Sequence, residues 1–304
     1  MTPNLQILEN DHWRCGILPG TGASIAFGQV KRHSAWLDVL RPTPEADYDN
    51  SSNCSSFIML PWCNRIRGGL LQFGGDTFTL QTTKDDGTAR HGDVRRRQWN
   101  IESLSDSAIV MTLHSRDYAD MNWPFTFSAR AEYRLEGADF IWELALRSED
   151  ERPFPAGFGH HPYFVRPEGE NAPQLTIPCS RYYQLTDFMP AGESLPIRAD
   201  LDFRQPRLLG QSEINDVLTG RQPDEPSRIV YPQSGLTLEM HSDPLFVHIL
   251  LFAPEGKPFF AVEPMTNVSD GFNLYAQGIP GSGVFVLHPG ESQSATVRLN
   301  ASYS

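Results

Sequence analysis

Groups able to move protons near neutral pH concentrate in three short stretches: Arg90-His91-Gly92, Gly159-His160-His161-Pro162-Tyr163-Phe164 and Val262-Glu263-Pro264-Met265-Thr266-Asn267. Imidazole and carboxylate are the usual partners in general acid–base catalysis. Each stretch sets them beside Gly or Pro, residues that close strands, so the side chains are expected at strand ends facing a cleft. The pattern points to an acid–base enzyme. Neighbours on a strand face opposite ways, so only one of His160 and His161 reaches the cleft, and His160 is expected to be structural. An alternative keeps the same three groups as a metal site: His91, His161 and Glu263 would form a two-histidine, one-carboxylate set, provided all three meet on one ion. His12, His33, His114, His241, His248 and His288 show no ligand spacing.

The elements that must position these groups are strands. Phe140, Trp142, Leu144 and Leu146 fall on one side of a period-two pattern, and Ile141, Glu143, Ala145 and Arg147 on the other. The run 128–135 alternates likewise, and Gly137 in the polar link 136–139 closes a hairpin between the two. Further short β-rich runs span 236–240, 246–252, 258–262, 283–287 and 295–299, each bounded by Gly, Pro, Asp or Asn. No amphipathic helix longer than about ten residues is legible, which argues against an α/β nucleotide fold. The expected architecture is all-β, a large antiparallel β-sandwich in one domain over 1–304, with surface loops at 168–174 and 221–227.

Several signatures fall away. Gly20-Thr-Gly22 has no third glycine and no following helix, so it reads as a β-turn rather than a dinucleotide loop. No P-loop, G-x-S-x-G elbow or H-E-x-x-H occurs. Arg95-Arg96-Arg97, soon after His91, could clamp a phosphate or carboxylate. On an outgoing strand rising ~3.3 Å per residue, however, Arg95 and Arg97 would stand roughly 13–20 Å from His91, and Arg90 would face away from it.

Composition narrows the partners. With 39% hydrophobic and 20% charged residues the chain can bury a sizeable core. A formal charge of −12 argues against nucleic acid or an anionic membrane, both of which attract basic surfaces, and favours a neutral small molecule. Cys15, Cys54, Cys63 and Cys179 lack zinc or C-x-x-C spacing and read as reduced, buried thiols. The opening residues carry no secretory pattern and no later run has the ~20 apolar residues of a membrane helix, so a soluble cytoplasmic protein, monomer or homodimer, is expected.

Taken in order, the segments resemble the aldose 1-epimerase (galactose mutarotase) family. The matching pieces are Leu18-Pro-Gly-Thr-Gly-Ala-Ser-Ile, Pro61-Trp-Cys-Asn64-Arg65-Ile66 with Gly68-Gly69, His91-Gly92 and His161-Pro-Tyr163-Phe164. Then follow Asp202-Phe-Arg204, Asp216, Glu263-Pro with Asn267 and Asp270, and Leu287-His-Pro-Gly-Glu291. The match spans nearly the whole chain. It implies a β-sandwich of the galactose-mutarotase type and interconversion of the α and β anomers of a free aldose without a cofactor; with both proton transfers left to side chains and no metal-ligand motif in the sequence, no metal is expected either. The resemblance makes His161 the general acid and Glu263 the general base, with His91 an assistant. It gives Asn64, Arg65, Tyr163 and Asp216 to substrate binding. Pro162 stands where many members carry Ser or Thr, and Glu-Pro-Met replaces a Glu-Thr-Gln run, so substrate preference stays open. A hexose-6-phosphate 1-epimerase, or a non-catalytic sugar-binding protein on the same fold, are the alternatives. Burial after the apolar Phe259-Phe-Ala-Val262 should raise the pKa of Glu263, while Arg65 would lower it.

Overall fold

A computed structural model describes residues 4–167, 169–210 and 213–304. Period-two patterning governs it. In the Phe127–Glu136 strand Phe127, Ala129, Ala131, Tyr133 and Leu135 are buried, and in Asp139–Ser148 so are Phe140, Trp142, Leu144 and Leu146. The two strands form the expected hairpin, Tyr133 opposite Trp142, closed at Gly137 with φ +56°.

Among the described residues, two large antiparallel sheets of nine and twelve strands make up most of the structure. The nine-stranded sheet runs outward from this hairpin through Ser292–Tyr303, Leu236–Ser242 and Ser227–Tyr231. The twelve-stranded sheet holds Trp13–Leu18, Ser24–Arg32, Ala35–Leu40, Tyr163–Val165, Phe259–Met265, His248–Ala253 and Ile214–Arg221 as successive neighbours. Their inner faces share one core: Trp13 and Phe164 from the larger sheet pack in the same cluster as Phe140, Trp142 and Leu299 from the smaller. Trp13 and Phe140 have ring centroids 5.6 Å apart. This is the sandwich that alternation calls for.

The larger sheet is covered on its other face as well. Tyr163, Val217, Leu250, Ala261 and Met265 form a second cluster there with Met59 from the short Ile58–Met59 strand and Phe57, Cys63 and Val268 from the connecting segments. Apolar cover on both sides explains why Phe259–Met265 reads as a nearly continuous apolar run instead of an alternating one. That strand also runs on through Pro264, which pairs with Ile249, so Glu263 lies inside it rather than at its end as expected. The only α-helix among the described residues is Gly271–Ala276, and none is long and apolar enough to cross a membrane. All four cysteines are buried free thiols. Of the loop expected at 221–227, Gln222 to Glu225 are exposed between strands that end at Arg221 and begin at Ser227; of the loop expected at 168–174, Glu168 lies outside the described residues, while Ala172 and Pro173 are buried and Gln174 opens a strand rather than lying on a surface loop.

Candidate active site

Sheet register brings His161 and Glu263 together. Gly159 pairs with Met265 and Tyr163 with Ala261, so the residues midway between them, His161 and Glu263, stand opposite one another. The His161 Nε2 atom lies 3.1 Å from Glu263 Oε1. The N–H is not aligned as a hydrogen bond on that oxygen, and neither Glu263 oxygen accepts one elsewhere among the described residues. The His161 backbone N–H instead donates to Phe57 O at 3.0 Å, which fixes the turn of chain at Pro162. The imidazole packs between Phe57 and Tyr163, at centroid distances of 4.6 and 4.5 Å, and meets His91 edge-on at 5.4 Å. His160 faces the other way, into the sandwich core, 5.1 Å from Trp142.

Arg65 lies on a separate two-stranded ribbon, Arg65–Ile66 against Ala89–Arg90, and Asn64 and His91 flank it at one end. Asn64 and His91 both adopt left-handed backbone, φ 54° and 62°, and the His91 N–H donates to Asn64 O at 2.7 Å. Left-handed non-glycine residues cost roughly 1–3 kcal/mol each and persist only where surroundings impose them. The imposing groups follow Glu263 in sequence. Asn267 Oδ1 accepts from the Cys63 N–H at 3.0 Å, and its Nδ2 donates to Cys63 O at 3.3 Å. The Asp270 carboxylate accepts from the Arg67 N–H at 3.0 Å, while the Asp270 N–H donates to Arg65 O at 2.6 Å. Arg65 bonds Asp86 Oδ2 at 2.9 Å and Asn64 Oδ1 at 3.0 Å.

Burial dominates the electrostatics. It raises the Glu263 carboxyl well above its ordinary range, with the nearby Arg65 pulling only partly the other way. It lowers His161 to about 3 and His91 well below the usual imidazole value, neighbouring arginines adding to both shifts. His91 and His161 are therefore neutral at pH 7, and Glu263 resists ionisation. His91 Nδ1 sits 3.2 Å from Met59 Sδ. Among the described residues no three His, Cys, Asp or Glu side chains gather in a metal-holding group.

These side chains line a cleft of about 230 Å³ on the second face of the larger sheet. Of the site residues expected from sequence, His161, Glu263, His91, Asn64, Arg65 and Tyr163 line it. Asp216 does not. It occupies the strand position next to the one that does, and its carboxylate contacts Arg198 at 3.5 Å, while Asn215 enters the cleft. Successive residues of a strand face opposite sides, so a one-residue shift exchanges a site residue for one pointing away. Arg90 and Arg95 also line the cleft, contrary to the expectation that both lie out of reach. His91 and Gly92 are both left-handed, φ 62° and 68°, and a 3₁₀ turn at Val94–Arg96 follows, so the chain folds back and strand alternation does not apply. Gly92 is required for this reversal, because a Cβ there would stand 2.1 Å from Leu60 O.

A sequence model of the aldose 1-epimerase family matches residues 5–300. The chain belongs to this family. The uncharacterised protein YphB from Escherichia coli (strain K12) is 25% identical over 284 residues, which cover 88% of this chain and 91% of YphB. In fold this chain is similar to a galactose mutarotase-like protein from Clostridium acetobutylicum, with a TM-score of 0.85 at 15% identity over 100% of this chain and 99% of that one. The GalM/aldose epimerase homologue from C. elegans gives 0.83 at 16% identity, over 99% of each chain. The mutarotase-type sandwich is thus the architecture that carries the cleft of this aldose 1-epimerase family member.

Proposed function

We propose that the protein is a cofactor-independent isomerase that interconverts the α and β anomers of an aldose, with His161 and Glu263 moving the protons. The carrying observation is the 3.1 Å contact between the two groups at the base of a cleft of monosaccharide scale. The C1 hydroxyl oxygen and the ring oxygen of a pyranose are bonded to the same carbon. An acid and a base set side by side can therefore serve both.

The chemistry balances with these two groups alone. One takes the C1 hydroxyl proton, the C1–O bond becomes a carbonyl, and the bond from C1 to the ring oxygen breaks with its electron pair left on that oxygen. The other group protonates it. After rotation about C1–C2 each group performs the reverse transfer, which presents the opposite anomer and restores the starting protonation. Each positioned transfer typically contributes ~10²–10⁴-fold. Burial favours neutral His161 with protonated Glu263, and the alternative distribution of the same proton, on His161, makes His161 the acid and Glu263 the base. Both tautomers contain one acid and one base. Asn64, Arg65, His91 and Tyr163 would hold the hydroxyls and ring oxygen, and Asn215 takes the binding role first given to Asp216.

A non-catalytic sugar-binding protein is disfavoured by the His161–Glu263 pair, since holding sugar hydroxyls does not require an imidazole and a carboxyl 3.1 Å apart. Exchange NMR on a panel of aldoses tests the proposal. The expected result is catalysed α–β exchange that survives exhaustive dialysis against chelator; absence of exchange for every sugar, free or derivatised, overturns it.

A further inference from the structure

We infer, on the basis of the anomer-exchange reading, that the aldose carries an anionic substituent and that Arg95, with Arg90, receives it. Arg95 is only 3% exposed, yet it lines the cleft. Its guanidinium donates to Ser52 Oγ at 2.7 Å and reaches Ser51 Oγ at 3.4 Å, and its Nε has no partner. Among the described residues no carboxylate lies within salt-bridge distance of it; Asp49 lines an adjoining cavity without pairing. The contrast within the same run is direct. Arg97 is neutralised by Asp93 at 2.6 Å and Asp120 at 2.7 Å.

An unpaired buried guanidinium costs several kcal/mol by desolvation, and a purely structural role would be filled more cheaply by an apolar side chain or a paired charge. A ligand anion removes that cost. Burial lowers Arg95 only to about 10, so it remains charged at neutral pH. Arg90 adds a second guanidinium, held by the exposed Asp85 at 3.5 Å and by Asp86 at 3.9 Å, and Arg65 a third, paired with Asp86. Asp85 and Asp86 balance Arg90 and Arg65, so Arg95 is the lining cation without a carboxylate at salt-bridge distance among the described residues. The cleft thus presents positive charge in a chain of net charge −12.

The spacing suits a substituent on the sugar rather than the reacting carbon. The Phe57 ring centre is 5.2 Å from the Arg95 guanidinium carbon and 4.6 Å from the His161 ring centre. Arg95 and the proton-transfer pair thus line one cleft within a span that a pyranose and its substituent can bridge. Guanidinium forks bind phosphate and carboxylate alike, so the shared chemistry is an oxyanion.

Exchange NMR on glucose, glucose 6-phosphate and glucuronate, with galactose and its two counterparts, reads the preference and separates the two anions. At least one acidic sugar should show kcat/KM about tenfold or more above its neutral parent, and the ratio should fall toward unity, mainly through KM, in Arg95→Gln and in the half-exposed Arg90→Gln. Equal or better turnover of neutral sugars overturns the inference and leaves the anomer-exchange reading intact. So does a preference for the acidic sugar that persists in both variants. Should no sugar exchange at all, the anomer-exchange reading fails, and calorimetric titration with glucose 6-phosphate, glucuronate and glucose decides the anion preference, with tighter binding of glucose counting against it.

Discussion

Glu263 and His161 are cross-strand neighbours, Oε1 to Nε2 at 3.1 Å, at the point where Pro162 interrupts the ladder between Gly159–Met265 and Tyr163–Ala261. The interruption frees the two side chains to meet in the cleft while both flanks stay registered. Cross-strand opposition is the tightest placement a sheet offers two side chains. It sets acid and base close enough to serve two oxygens on one carbon.

Removing either member should therefore stop both transfers. Glu263→Gln and His161→Asn are each expected to lower the rate of anomer exchange by at least ~10²-fold with the fold intact. Near-normal exchange in either variant, with an unchanged near-UV circular dichroism spectrum, would remove that residue from the mechanism.

The same buried carboxyl should cost stability. The folded-state pKa of Glu263 is raised, so its contribution is fully present below the unfolded value near 4.5 and is lost as pH rises toward the folded value. Each unit of that shift is worth about 1.4 kcal/mol. Glu263→Gln carries no such loss. Its melting temperature should match or exceed that of the wild type at pH 8, and the difference should shrink at pH 4.5; a variant less stable by the same margin at both values would show that the carboxyl's ionisation carries no cost.

Acid should destabilise the protein earlier than surface carboxylates alone would. Burial lowers His160 and His161 to about 3, His248 to about 4, and His91 well below its ordinary value. The unfolded chain takes up these protons near pH 6.5 and the folded chain does not, so stability falls as pH drops from about 6.5 toward 4, by about 1.4 kcal/mol per pH unit for each histidine. Glu263 offsets part of this above pH 4.5. Denaturant titrations at pH 7, 6 and 5 should show the decline, and His160→Phe, which removes one of these groups from the core, should flatten it. A stability profile level from pH 7 to 5 would contradict the burial of these rings in neutral form.

Much of this is legible in the chain, and the failures have separate physical causes. The hairpin of Phe127–Glu136 and Asp139–Ser148, the inward His160 and the outward His161 all follow from strand alternation, which holds because those residues lie on or beside regular strands. Arg90 and Arg95 defied the same rule because His91 is not on a strand: two left-handed residues reverse the chain there. His-Gly-Asp at 91–93 is a turn signal that could have warned of it. Asn64 and Arg65 have no local pattern at all; their position depends on Asn267 and Asp270, some two hundred residues away, and only the family resemblance singled them out.

Asp216 and Asn215 give the sharpest test of register. The Ile214–Arg221 strand turns Asn215 toward the cleft beside Leu250 and Phe252, and leaves Asp216 with Arg198 at 3.5 Å. Asn215→Ala removes a neutral hydrogen-bonding group from the cleft and should raise KM about three- to tenfold. Asp216→Asn breaks an ion pair to the partly exposed Arg198, a contact worth about 0–1 kcal/mol, and should leave kcat/KM nearly unchanged. Steady-state exchange kinetics on the two variants separates the cases, because the reverse pattern, loss in Asp216→Asn with Asn215→Ala unaffected, would mean that the strand presents its other face to the sugar.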